Sequence, residues 1–233
     1  MSLRVPDPYT GPTTAGVDVS FYQKRIDWDR LARASEHVRF SIARSGDALS
    51  DDRFFEANYK GARDAGLTPG LYRFVRPLQD IEEQAKRTVA HARLVGFRPG
   101  VDLPPTIDVE RGDDPDIGDE RVVHDPKRVA GQMIEYARII ETELGVRCLC
   151  YAGAFFAEMI HDERLAALPL WTPMYGSRTA RIPKAWADAG QHWAIWQYDS
   201  THGINGVSGA IDHDVFRGDE QALRAFCASL KVA

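Results

Sequence analysis

Asp108 and Glu110 stand two residues apart in "PPTIDVERG" (residues 104–112), inside a short apolar run that reads as a buried strand. Residues i and i+2 of a strand point to the same face. The two carboxyls therefore share one face, and Ile107 and Val109 share the other. Their Cα atoms would lie ~6.6 Å apart at a rise of ~3.3 Å per residue. Carboxyls this close raise each other's cost of ionising and hold one proton to higher pH. The result near neutral pH is one acid beside one charged carboxylate. Cleavage of a glycosidic bond needs such a pair: an acid for the leaving oxygen and a carboxylate for the developing positive charge. The plainer alternative is two acids fraying into solvent at a strand end. The polar run that follows, "RGDDPDIGDERVVH" (111–124), places them where a strand gives way to a long loop.

Two further acids sit in matching places. Asp18 lies between Val17 and Val19 in a first strand, and Asp212 between Ile211 and His213 in a last one, with Asp214 two residues on and on the same face. Closing a barrel puts first and last strands side by side. Asp18 and Asp212 then become neighbours, with Asp108 and Glu110 across the mouth. Taken singly, an Asp in a strand is an end residue or a satisfied polar group. Acids can also bind a hard cation. No EF-hand spacing is present, and the seven histidines show no paired ligand spacing, so neither metal nor cofactor is expected. No G-x-S-x-G elbow occurs, and "GINGVSG" (203–209) reads as a turn-rich loop. Aromatics cluster near the strands: Tyr72 with Phe74, Trp171 with Tyr175 and Trp196 with Tyr198 share faces by alternation, and Tyr151 and Trp193 stand nearby. Most strand aromatics are core; those at a mouth present flat faces to sugar rings.

The elements that must carry these residues alternate along the chain. "AGVDVS", "VRFSIAR", "PGLYRFV", "PPTIDVE" and "VRCLCYA" read as strands, with helical segments between them. Asp27 reads as a helix cap, Asp51 and Asp52 as the opening of a helix, and Asp80 with Glu83 as a capping box. Asp125-Pro126 starts a helix whose stripe of Val129, Met133, Tyr136, Ala137, Ile140 and Leu144 has helical spacing. Then the rhythm changes: "LPLWTPMYG", "HWAIWQYD" and "AIDHDVF" are three strands on short connections, and a last helix closes the chain. The pattern predicts an α/β fold, an irregular TIM-like (β/α) barrel of about five βα units, three strands and a C-terminal helix. A doubly wound sheet is the structural alternative. Residues 1–15 read as an N-terminal extension and 16–233 as a single catalytic barrel domain.

Composition narrows the partners. A net charge of −5 without a basic run argues against nucleic acid and anionic membrane. No apolar run approaches the ~18–20 residues of a membrane span, so no membrane insertion is expected. Cys148 and Cys150 share a strand face and, with Cys227, make an odd count, which argues against a disulfide scaffold. The start lacks a basic-then-apolar signal peptide. The expectation is export by another route, as in phage-type release, or a trimmed domain, with action outside the cell or at the wall.

Five stretches, "GVDVSFYQ" (16–23), "AGLTPGLYRF" (65–74), "PPTIDVE" (104–110), "PLWTPMYG" (169–176) and "WQYDSTHGINGVSGAIDHDVF" (196–216), resemble in order glycoside hydrolase family 25, the Chalaropsis-type lysozymes. The resemblance implies a barrel of five βα units plus three strands. It implies hydrolysis of the β-1,4 bond between N-acetylmuramic acid and N-acetylglucosamine, with the peptidoglycan glycan strand as partner and a monomer as the working form. By motif, Glu110 resembles the general acid, Asp108 its partner, and Asp18 and Asp212 the supporting acids. Tyr72, Phe74, Tyr151, Trp171, Tyr175, Trp196, Gln197 and Tyr198 match positions expected to bind substrate. The family likeness favours retention through the substrate's 2-acetamido group. Departures are Tyr72-Arg73-Phe74 for Tyr-His-Phe, "IARSGDA" for a Lys-Ala-Thr-Glu-Gly segment, Tyr151-Ala152 for Tyr-Thr, and Asp214 for Asn. Rival readings are another barrel glycosidase such as a chitinase, and a catalytically weak wall-binding domain.

Overall fold

Strands β1 (Arg4–Pro6) and β2 (Thr14–Val19) open the chain, followed by α1 (Trp28–Ala32), β3 (Phe40–Asp47), β4 (Ser50–Asp51) and α2 (Phe55–Asp64). Next come β5 (Thr68–Phe74), α3 (Ile81–Leu94), β6 (Thr106–Asp108), α4 (Pro126–Leu144) and β7 (Leu149–Tyr151). The last third holds β8 (Leu170–Pro173), β9 (Arg181–Pro183), α5 (Lys184–Asp188), β10 (Trp193–Asp199), β11 (Asp212–Phe216) and α6 (Glu220–Ser229). The structure is a computed structural model that describes residues 4–77, 79–110, 126–153 and 162–232. The expected polar loop at 111–124, the expected helix start at Asp125 and residues 1–3 lie outside the described residues.

β2, β3, β5, β6, β7, β8 and β10 run parallel in that order, and β11 runs antiparallel between β10 and β2. The pairings Gly16↔Phe40 and Asp212↔Asp18 on the two sides of β2 close the sheet on itself. That closure removes the doubly wound alternative, which would leave β2 or its neighbours as an open edge. The expected irregular barrel is what forms: among the described residues helices follow β2, β3, β5 and β6, and β8, β10 and β11 complete the barrel. β4 adds a short hairpin to β3.

Alternation sorts the core into an inside and an outside. Phe40, Ile42, Leu149, Trp171, Ile195 and Phe216 pack inside the barrel, and Leu103, Leu223, Cys227 and Leu230 join them. Thr14 Oγ1 donates to Gly218 O at the start of β2, and Arg147 N to Leu230 O just before β7. α6 therefore plugs the N-terminal end of the barrel and leaves the C-terminal end open. Outside, the α4 stripe Val129, Met133, Tyr136 and Ile140 meets Ile107, Val109, Cys148 and Cys150. All three cysteines are free thiols.

Local signals act as read at several ends. Asp27 Oδ1 accepts from Arg30 N (3.0 Å), and Asp80 Oδ1 from Glu83 N (3.0 Å). Gly66 stops α2 at a φ of 84°, in the left-handed region that glycine adopts freely. Asp51 and Asp52 differ from expectation. Asp51 belongs to β4, and Asp52 accepts from Phe54 N (2.9 Å) and Phe21 N (2.8 Å), so it ties the β2 loop to the start of α2. Residues 4–15 are packed into the barrel body rather than hanging from it. β1 pairs with β9, Arg4 Nη2 donates to Pro173 O (2.7 Å), and buried Asp7 accepts from Trp193 N (3.2 Å).

Candidate active site

Three strands deliver acids to the open end. Asp18 of β2 and Asp212 of β11 are register partners, and Asp214 lies beside Gly16. β6 ends at Asp108, one strand away from Phe74 on one side and Tyr151 on the other. Glu110 lies just beyond the strand end, yet the alternation continues: Ile107 and Val109 are buried in the α4 layer. Asp108 is 4% exposed and Asp18 3%, whereas Glu110 and Asp212 are half-buried at the mouth.

Gln197 of β10 links the acids to the aromatics. Its Nε2 donates to Asp18 Oδ2 (2.6 Å), and its Oε1 accepts from Tyr151 Oη (2.8 Å) and Tyr175 Oη (2.5 Å). Trp171 Nε1 donates to Asp214 Oδ1 (2.9 Å). The Trp171 ring takes Tyr151 edge-on at 4.9 Å and Tyr72 at 6.0 Å. Phe74 sits at the rim with the Arg76 guanidinium 4.2 Å over its ring. Oδ1 of Asp108 is buried and receives no hydrogen bond from the described residues.

Burial is the leading cause of every acid shift here. It pushes Glu110 up to about 7, with the Asp108 hydrogen bond opposing and the Asp212 charge adding. Asp108 is pushed well above the usual carboxylate range by burial and then by Glu110, with Arg44 opposing. Asp18 goes the same way through burial, Asp212 and Asp214, and Asp214 through burial and Asp212. Asp212 rises to about 6 through burial and Asp199. The sequence assigned the shift to mutual repulsion and left Asp108 as the charged partner. In the fold Asp108 is the deeper carboxyl, and burial rather than repulsion is the first cause of the rise of both members. Among the described residues no three His, Cys, Asp or Glu side chains converge as a metal-binding group.

The profile of Glycosyl hydrolases family 25 matches residues 17–207. The chain belongs to this family. As a family 25 chain it is a glycoside hydrolase. It is 28% identical over 235 residues to the uncharacterized protein YegX of Escherichia coli K12, covering 99% of this chain and 78% of that one. It is 26% identical to lysozyme M1 of Streptomyces globisporus, covering 90% of this chain and 70% of that one. The bacterial lysozyme of Streptomyces coelicolor has the same fold, with a TM-score of 0.81 at 22% identity, covering 95% of this chain and 99% of that one.

Of the expected groove residues, Tyr72, Phe74, Tyr151, Trp171, Tyr175 and Gln197 gather with the acids. Trp196 and Tyr198 do not. They alternate with Ile195 and Gln197, which point inward, so both stand on the outer face of β10. Trp196 packs against the α4-side cluster and donates Nε1 to Met174 O (2.9 Å). Tyr198 lies against Trp196 and His213. The motif "WQY" placed three residues together, and strand alternation separates them. Arg73, noted as a departure, faces outward too and is fully buried. It donates to Thr88 Oγ1 (3.1 Å), Ala48 O (2.6 Å) and Asp51 Oδ1 (3.1 Å), pinning the β3–β4 hairpin that walls the mouth. Asp214 is a buried acid whose role sequence reasoning left unassigned. For Asp214 the signal was its shared face with Asp212.

Proposed function

We propose that the chain is a muramidase that hydrolyses the β-1,4 bond between N-acetylmuramic acid and N-acetylglucosamine in bacterial peptidoglycan, with retention through the substrate's 2-acetamido group. The observation that carries this reading is the pair at the end of β6: half-buried Glu110 held to about 7 against buried Asp108. Glu110, the member facing the mouth, is protonated below about 7 and delivers its proton to the leaving glycosidic oxygen. The open Oδ1 of Asp108 then accepts from the acetamido N–H, which steers the acetamido oxygen to the anomeric carbon and stabilises the positive charge of the resulting ring. Glu110, now ionised, takes a proton from the water that opens this intermediate. Asp18 and Gln197 hold Tyr151 and Tyr175 in place around the sugar. Lysozyme M1 as a relative supports the substrate class. With peptidoglycan as substrate, the place of action is the cell wall.

Mass spectrometry of fragments released from purified peptidoglycan tests the bond. Muramic acid at the new reducing ends is the expected result; glucosamine there rejects the assignment. NMR of the first-formed anomer tests the stereochemistry, with the β-anomer expected.

A further inference from the structure

A cavity of about 550 Å³ opens beside the acids, between the loop after β2 and the β3–β4 hairpin. Asp47 in its wall lies in the same register row as Phe74 and Asp108, two strands over. At ~4.8 Å per strand that is ~10 Å from Asp108. The cavity is thus a side pocket off the groove rather than part of its floor.

Its lining combines aromatic surface with one uncommitted cation. The Phe21 and Tyr22 rings lie 4.2 Å apart, tilted by 32°, and Tyr22 is 69% exposed. Asp47 is held by Arg76 (2.9 Å), Asp51 by Arg73 (3.1 Å) and Asp52 by Arg44 (3.2 Å). Arg44 in turn lies 4.8 Å over the Phe21 ring. Every wall carboxylate is therefore neutralised. Arg53 is exposed, lies 5.6 Å over Phe21 and 5.4 Å over Phe54, and has no carboxylate or hydrogen-bond partner among the described residues. Stacking on two rings holds its guanidinium in place and leaves its donors open, an arrangement suited to a carboxylate.

We propose that this pocket is a subsite for the peptide stem carried on the lactyl group of the muramic acid, with Arg53 binding a stem carboxylate and Tyr22 covering its small apolar side chains. The proposal rests on the muramidase reading. A stem projects sideways from the glycan, which matches a pocket set to one side of the acids. Arg53 then determines specificity and takes no part in the chemistry.

The test compares peptidoglycan with intact stems and the same glycan stripped of stems by an amidase, which leaves the lactyl carboxylate free. Wild type should cleave the stem-bearing glycan with a kcat/KM about tenfold higher, the size of one exposed charge-assisted hydrogen bond. Arg53→Ala should lose that advantage through KM and match wild type on stripped glycan. Arg53→Lys should recover most of it. An Arg53→Ala variant as active as wild type on stem-bearing glycan overturns the subsite. So does an equal loss on both substrates, which would assign Arg53 to the glycan or its lactyl group. If wild type releases no muramic-acid ends from either substrate, the muramidase reading itself falls, and the subsite with it.

Discussion

Glu110 works as an acid only while it is protonated, and burial sets that limit at about 7. The sign is direct: the form with Glu110 protonated is the active one, so kcat/KM should hold below this value and fall as pH rises through it. A rate profile with its alkaline limb near pH 7 is the expected result; a limb at pH 4–5 would show that burial does not raise Glu110. Glu110→Gln keeps the shape and removes the proton transfer, so clearance of cell walls should drop by roughly 10²–10⁴-fold, with unchanged circular dichroism. The D-x-E spacing disclosed the pair. It could not disclose which carboxyl lies deeper, because depth depends on how far β6 runs before the chain leaves the barrel.

Two strands show what an element decides. β10 presents Ile195 and Gln197 inward and Trp196 and Tyr198 outward. Tyr198→Phe should therefore leave kcat and KM within about twofold of wild type, the ordinary scatter of a surface change. Tyr175→Phe removes one of the two hydroxyls that orient Gln197 and should lower kcat more than it changes KM. Side-by-side kinetics of the two variants check the face assignment. On β5, Arg73 carries the β3–β4 hairpin. Arg73→Met keeps much of the volume but abandons buried Ala48 O and Thr88 Oγ1. The cost should be about 3 kcal/mol, or roughly 6–12 °C in Tm for a domain of this size, read by calorimetry.

For the whole molecule, the site is a stability cost. Asp18, Asp108, Glu110, Asp212 and Asp214 all have folded pKa values raised by burial. The folded state therefore binds more protons than the unfolded chain, whose acids titrate near ~4. Their contribution to stability is fully present below ~4 and is lost as pH rises through the folded values, about 6 for Asp212 and about 7 for Glu110. Asp214→Asn retains an oxygen for Trp171 and removes a buried ionisable group. It should raise Tm at pH 8 by roughly 2–4 °C, about 1 kcal/mol, and flatten the fall in Tm between pH 4 and 8. A Tm equal to or below wild type at pH 8 would refute this account of the acids.

The order of strands and helices, the helix stops and caps at Asp27, Asp80 and Gly66, and the acids with most of their aromatic neighbours were legible in the chain itself. Those features depend on local periodicity, on spacing and on short motifs, all of which a linear sequence records. Three things waited for the tertiary structure. The barrel expectation made Asp18 and Asp212 neighbours, but their exact register waited for closure through β11, since pairing between strands almost two hundred residues apart in the chain (18 and 212) leaves no local trace. The outward turn of Trp196, Tyr198 and Arg73 depends on which face of each strand meets the barrel interior. The rise of the Asp108 and Glu110 pKa values depends first on burial, which is a property of everything packed around a carboxyl and not of its neighbours in sequence.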